Sequence, residues 1–139
     1  MQRRMLKSKI HGVSVTDSDV NYEGSITIDL DLMEAADLIE YEEVLVWDIT
    51  NGARLATYVI PGERGSGKVA INGAAAHIVK RGDRVIVGSF ASYDEAELND
   101  FAARKVFVDG DNRIKKIILA GTGEKGLPAA ETGARAELC

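Results

Sequence analysis

What most limits the fold of this chain is a succession of short apolar–polar alternating runs separated by turn residues, with Asn51-Gly52 seated between two of them. A two-residue hairpin loop needs positive φ at both central positions, and Asn-Gly supplies that conformation more readily than other pairs. Glu43 to Thr50 (EVLVWDIT) and Arg54 to Ile60 (RLATYVI) therefore read as antiparallel partners. Ser25 to Leu30 alternates strictly, as a half-buried strand does. Lys9 to Thr16, Val69 to Ile71, Arg84 to Phe90 and Lys105 to Val108 read as further strands. Many short strands joined by turns fit a small closed barrel better than a sandwich with long edges, because closure removes the unpaired edges.

Helices are few. Asp31-Leu-Met-Glu34 has capping-box spacing, and Leu32, Ala35, Ala36 and Ile39 then form an apolar face. Ala74 to Val79 is a second short helix, ended by the turn Arg81-Gly82-Asp83, and Asp94 to Ala102 a third. Only 6% of the 139 residues are aromatic, so Val, Ile, Leu and Ala must fill the core of what is one domain by length. From Gly121 onward the composition turns to Gly, Ala, Glu and Thr. The reading is a folded domain over residues 1–115 and a flexible tail over 116–139.

Charge and targeting narrow the function. A net charge of −5 argues against nucleic acid as a partner, since phosphate binding needs a basic surface. The basic N-terminus is followed by no apolar segment of signal-peptide type, and no stretch approaches the ~18 residues of a membrane span. Cys139 is the only cysteine. It allows no intrachain disulfide, reads as incidental and fits a reducing cytoplasm, where the protein is expected.

The usual catalytic signatures are missing: no His-Glu-x-x-His, Cys-x-x-Cys or Gly-x-Ser-x-Gly, and no metal site is expected. Gly62-Glu-Arg-Gly65-Ser-Gly67-Lys68 resembles a phosphate loop but fails its pattern, because Val69 follows the lysine and a strand follows the loop. Tyr22-Glu23-Gly24-Ser25 offers other chemistry. A Gly-Ser pair is most often a turn. It is also what an N→O acyl shift needs, with the serine hydroxyl attacking the preceding carbonyl and a flexible glycine letting the peptide reach that geometry.

Several stretches, taken with Tyr22-Glu-Gly-Ser25, carry a resemblance to one family. They are Met5-Leu-Lys-Ser-Lys9-Ile-His11, Thr50-Asn-Gly52 with Arg54, Thr57-Tyr58, Glu63-Arg-Gly-Ser66, and Ile71-Asn72-Gly73-Ala-Ala-Ala76-His77 followed by Gly82-Asp83. Together they resemble the pyruvoyl-dependent aspartate decarboxylases, from about Met5 to Gly110. The resemblance implies a mainly β fold, a six-stranded double-psi β-barrel with a few short helices, assembled as a homotetramer with active sites at subunit boundaries. It implies conversion of L-aspartate to β-alanine and CO2, the entry to pantothenate and coenzyme A.

It also implies self-cleavage between Gly24 and Ser25. A β-chain of residues 1–24 would result, and an α-chain of residues 25–139 headed by a pyruvoyl cofactor made from Ser25, which forms a Schiff base with the substrate. Such a group is an electron sink built from the chain itself. Lys9 and Arg54 match positions that hold substrate carboxylates, and Tyr58 matches the proton donor. Thr57, Gly73, Ala74 and Ala75 match substrate-binding positions, and Asn72 a pocket residue that positions the amide. Trp47 and Ile86 match apolar positions near the site, although a core role is the simpler reading for both. His11 is read as a hydrogen-bonded structural histidine.

Two other readings remain open at this point. One is a non-catalytic double-psi barrel binding module. The other is a pyruvoyl enzyme for another acidic amino acid, since one methylene in a pocket is worth only ~1–3 kcal/mol.

Overall fold

The longest strand, β1 (Arg3–Ser14), begins six residues before Lys9, where the alternation of Ile10, Val13 and Val15 places its start. Its polar first half is held by pairing rather than burial, with Arg3 opposite Tyr93 and Met5 opposite Ala91. The computed structural model describes residues 1–121. After β1 come β2 (Asp17–Asp19), β3 (Ser25–Asp29), a helix α1 (Leu30–Ala35), β4 (Glu43–Asp48), β5 (Arg54–Gly62) and β6 (Val69–Asn72). A 3-10 turn over Gly73–His77 leads to β7 (Arg84–Tyr93), a second 3-10 turn (Glu97–Asp100), β8 (Ala102–Val108) and β9 (Ile114–Gly121).

The hydrogen-bonded order is β2-β6-β3-β5-β4-β7-β1-β8-β9. Strands far apart in that order share one apolar cluster: Ile10 of β1, Ile26 and Ile28 of β3, Val46 of β4, Val59 of β5, Ile71 of β6, Val87 of β7 and Val106 of β8. A sheet whose distant strands bury side chains together is rolled up. Thr16 N, just before β2, donates to Val69 O at 2.8 Å and extends the pairing of β2 with β6.

The mainly β class with few short helices is as expected, and the Asn51-Gly52 hairpin joins β4 to β5, with Trp47 opposite Arg54. The strand count is corrected from six to nine. The Asp-Ser-Asp of β2 has no apolar alternation and exists because it pairs in parallel with β6. In β9 the pair Lys115-Lys116 hides the pattern, yet Lys105 faces Ile118 and Phe107 faces Lys116. β9 also carries ordered structure past residue 115, where the tail was placed to begin. The rest of that tail, with Cys139, lies outside the described residues.

The helices are corrected too. The cap of α1 is Asp29, which accepts from Asp31 N at 2.8 Å, so the helix starts before Asp31 and ends before Ile39, which is 72% exposed. Of the expected helix over residues 94–102 only one 3-10 turn forms, and Ala102 already belongs to β8.

Candidate active site

Ser25 opens β3 and is 1% exposed. In the antiparallel pairing of β3 with β6 it sits directly opposite Asn72, so both side chains stand on one face. The amide Nδ2 of Asn72 donates to Ser25 Oγ at 3.0 Å and to Thr27 Oγ1 at 3.1 Å. β3 also runs parallel to β5 with Ile26 opposite Val59, which sets Tyr58 one step earlier on the strand beside Ser25. The Tyr58 ring meets Tyr41 at 6.0 Å between centroids.

Two cavities meet at Asn72. The larger, about 770 Å³, lies over Tyr22, Thr27, Ile60 and Lys68. The smaller, about 320 Å³, is lined by Gly24, Leu55, Thr57, Asn72, Ala74 and Ala75. The fold thus gathers Gly24, Ser25, Thr57, Asn72, Ala74 and Ala75 from three separate stretches of sequence.

Gly24 is not the glycine that the backbone demands. It adopts no left-handed φ, and a Cβ added to it would meet nothing within 4 Å. Gly73 is the constrained one: its φ is +78°, and a Cβ there would lie 2.6 Å from Gly24 Cα and 2.8 Å from Gly24 N.

Arg54 stands elsewhere. Its guanidinium carbon lies 5.2 Å from the centre of the Trp47 ring, and both line a separate cavity with Ile86 and Gly52. Trp47 and Ile86 are half-buried on this outer face, which corrects the core role expected for them. Trp47 instead covers Gly88, where an added Cβ would lie 2.9 Å from the indole.

Lys9 is opposite Gly88, Gly88 opposite Leu45, and Leu45 opposite Ala56. At ~4.8 Å per strand, three spacings separate Lys9 from β5 by about 14 Å. The Trp47 ring bridges that gap within one chain, since it covers Gly88, the partner of Lys9, and lies against the Arg54 guanidinium. Burial, and then the neighbouring Lys105, lowers the pKa of the Lys9 ammonium. His11 stacks on Phe107 at 5.5 Å. Burial, then Lys9 and Arg84, favours its neutral form. Its Nδ1 is buried without a hydrogen-bond partner, so the expectation of a satisfied histidine is corrected.

Sequence reasoning missed a carboxyl pair behind the hairpin. Asp48 is 2% exposed, and its Oδ1 accepts from Thr50 N at 2.8 Å and Asn51 N at 3.2 Å. Burial, and then the Asp83 carboxyl, pushes its pKa up. Asp83 moves the other way, chiefly through the hydrogen bond from Asp48. Asp48 Oδ2 finds no donor to accept from, which fits a proton carried on Asp48 and given to Asp83. An aspartate before Asn-Gly reads simply as turn chemistry, so no signal separates it from an exposed one. Among the described residues no group of three His, Cys, Asp or Glu is placed to hold a metal, and no helix is long and apolar enough to cross a membrane.

Residues 1–115 match the sequence model of a family described as Aspartate decarboxylase. The chain is 53% identical over 117 residues to the aspartate 1-decarboxylase of Chromobacterium violaceum, covering 84% of this chain and 93% of that one. It is 55% identical over 114 residues to the aspartate 1-decarboxylase of Myxococcus xanthus, covering 82% and 88%. Among solved structures, the computationally designed msDPBB_sym2 protein aligns with a TM-score of 0.38 at 13% identity, over 61% of this chain and 96% of that one.

Proposed function

Since the chain belongs to the aspartate decarboxylase family, we propose that it is a carboxy-lyase converting L-aspartate to β-alanine and CO2, and that it matures by cutting its own Gly24–Ser25 bond. The observation that carries this reading is the bond from Asn72 Nδ2 to the buried Ser25 hydroxyl, with the Gly24 backbone on a cavity beside Thr57. By donating to Oγ, the amide leaves the hydroxyl proton free to depart and fixes the oxygen in place.

Maturation balances without an outside reagent except water. Ser25 Oγ bonds to the Gly24 carbonyl carbon, the C–N bond breaks, and the freed amine takes the proton. Loss of the Ser25 Cα proton then expels the Gly24 carboxylate and leaves a dehydroalanine, and water converts this to a pyruvoyl group with release of ammonia. Ser25 and its partner Asn72, which also donates to Thr27, fit such a group, since the position is buried, polar and already held by an amide donor. The pyruvoyl carbonyl would serve as the electron sink for loss of CO2.

The remaining roles follow from position. Tyr58, beside Ser25 on β5, is assigned to deliver the proton to the carbon that CO2 leaves. Gly73, Ala74, Ala75 and Thr57 line or adjoin the Gly24 cavity and are assigned to the substrate. Arg54, flattened over Trp47, suits a carboxylate by its planar fork of donors. The reading includes assembly as a homotetramer with active sites at subunit boundaries. A cytoplasmic place at the head of pantothenate synthesis completes the reading.

Intact mass spectrometry of the purified protein tests it. Two fragments divided after Gly24 are expected, the larger reacting with phenylhydrazine, and Ser25→Ala should remain whole. A wild-type chain that stays uncut and still turns over aspartate would overturn the reading.

A further inference from the structure

We propose that Gly73 is the positioning residue of the self-cleavage: its bare Cα forms the wall against which the scissile segment rests, so that its role precedes any binding of substrate. The inference rests on the maturation just proposed and adds a residue to it.

The geometry is specific to this position. Asn72 pairs with Ser25, so the next residue, Gly73, comes opposite Gly24. The approach is backbone to backbone. A Cβ on Gly73 would lie 2.6 Å from Gly24 Cα, 2.8 Å from Gly24 N and 3.2 Å from Tyr22 O, and no rotamer change relieves a clash with main chain. Gly73 is buried, and its φ of +78° is costly for most side chains. Gly24 meets neither demand.

Residues 72 and 73 thus act as one clamp. The Asn72 amide fixes the attacking oxygen, while the Gly73 backbone fixes the segment that carries the carbonyl under attack. An acyl shift needs those two atoms about 3–3.5 Å apart, and a displacement near 1 Å costs on the order of 10²-fold in rate. A methyl group at Gly73 must push residues 22–24 away by about that much, because the atoms it meets are main chain.

The test follows cleavage of freshly folded full-length precursor by mass, with thermal unfolding as the measure of folding. Gly73→Ala should fold and cleave on the order of 10²-fold more slowly. Gly73→Asn separates collision from backbone angle, because Asn tolerates left-handed φ but still carries the Cβ. It should be as slow as Gly73→Ala. Hydroxylamine cuts an accumulated ester, so its failure to speed either Gly73 variant places the block at the acyl shift.

Normal cleavage of folded Gly73→Asn would overturn the proposal, as would a hydroxylamine-sensitive ester in it. Loss of folding in both variants would overturn it as well, since Gly73 would then hold the fold and not the scissile bond. A wild-type precursor that never cleaves would instead remove the maturation reading itself.

Discussion

Asp48 and Asp83 form a carboxyl pair in which burial and then Asp83 push the Asp48 pKa up while Asp48 holds Asp83 down. The pair joins the hairpin that presents Arg54 to the turn that closes the 73–83 segment. Around it Ile49 N donates to Arg84 O at 2.8 Å, Arg84 N to Thr50 Oγ1 at 3.0 Å, and Asn51 Nδ2 to Ile78 O at 3.0 Å. The hairpin and that turn thus meet at a junction that contains this titratable pair.

The pair makes stability depend on pH in a defined direction. Asp48 has a raised pKa, so its contribution is complete below the unfolded value of about 3.9 and is lost as pH rises through its folded value. Asp83 has a lowered pKa, so its contribution is present above about 3.9 and is lost as pH falls through its folded value. Wild-type Tm should therefore fall on the alkaline side of the Asp48 titration. Asp48→Asn keeps an acceptor for Thr50 and Asn51 and gives Asp83 an uncharged donor, so its Tm should lack that fall. A hydrogen bond to a charged group is worth roughly 1.5–3 kcal/mol, which sets the scale of the difference. Calorimetry from pH 5 to 9 reads it, and identical slopes in both proteins would remove the shared proton.

Asn72→Ala should slow maturation while the protein still folds. The substitution deletes a single amide that serves two hydroxyls, Ser25 and Thr27. A neutral hydrogen bond is worth about 0.5–1.5 kcal/mol, so about a tenfold slower cleavage is expected from misplacement of Oγ alone. Time-resolved mass spectrometry of new precursor measures it. An unchanged rate would show that the strand pairing positions Ser25 without help from the amide.

How far these relationships could be seen in the sequence depended on whether a local pattern caused them. The β4–β5 hairpin was legible because Asn51-Gly52 marks a turn, although the loop runs over residues 49–53 and only Gly52 takes a left-handed φ, of +80°. The site residues were legible only through a family resemblance, since Tyr58, Asn72 and Ser25 come together by cross-strand register and no spacing in the chain encodes that. β2 and β9 were not legible, because neighbouring strands make them strands and their own alternation does not. The steric demand was read at Gly24 for the same reason: the atoms that exclude a side chain from Gly73 lie 49 residues away. Trp47 was read as core because large aromatics usually are, whereas here its ring covers Gly88 and supports Arg54.

Asp29 should be the costliest polar residue to truncate outside the site. It is 2% exposed, and its carboxylate accepts from Asp31 N at 2.8 Å, Gly65 N at 3.0 Å and Gly67 N at 2.8 Å. It caps α1 and pins the glycine loop at the same time. Asp29→Ala leaves three amides short of their acceptor, so a loss of about 3 kcal/mol is expected from the desolvation penalty of unpaired buried donors. A lower urea midpoint at unchanged m-value is the expected signature. A midpoint within error of wild type would mean that water replaces the carboxylate freely.

The assignment of Lys9 and Arg54 to one substrate makes a prediction that needs no further structure. If Lys9 and Arg54 serve the same aspartate from two different chains, variants of the two should complement each other, and if they serve it from one chain they should not. Lys9→Ala and Arg54→Ala should each cleave normally and each lose most activity, chiefly through a higher KM, since each removes a charge-assisted contact to substrate. Tyr58→Phe should differ by keeping KM and losing turnover by roughly 10²–10⁴-fold, the usual worth of a positioned proton donor. When the two cation variants are unfolded, mixed and refolded together, random pairing should give roughly a quarter of boundaries an intact Lys9 from one chain and an intact Arg54 from the other, as symmetric assembly allows. Activity should then recover to a fraction that neither variant shows alone, while a mixture containing Ser25→Ala and Tyr58→Phe reports whether those neighbours on β3 and β5 act from a single chain. A mixture of the cation variants that stays as inactive as its components, with mixed assemblies confirmed by mass, would show that one chain supplies both cations.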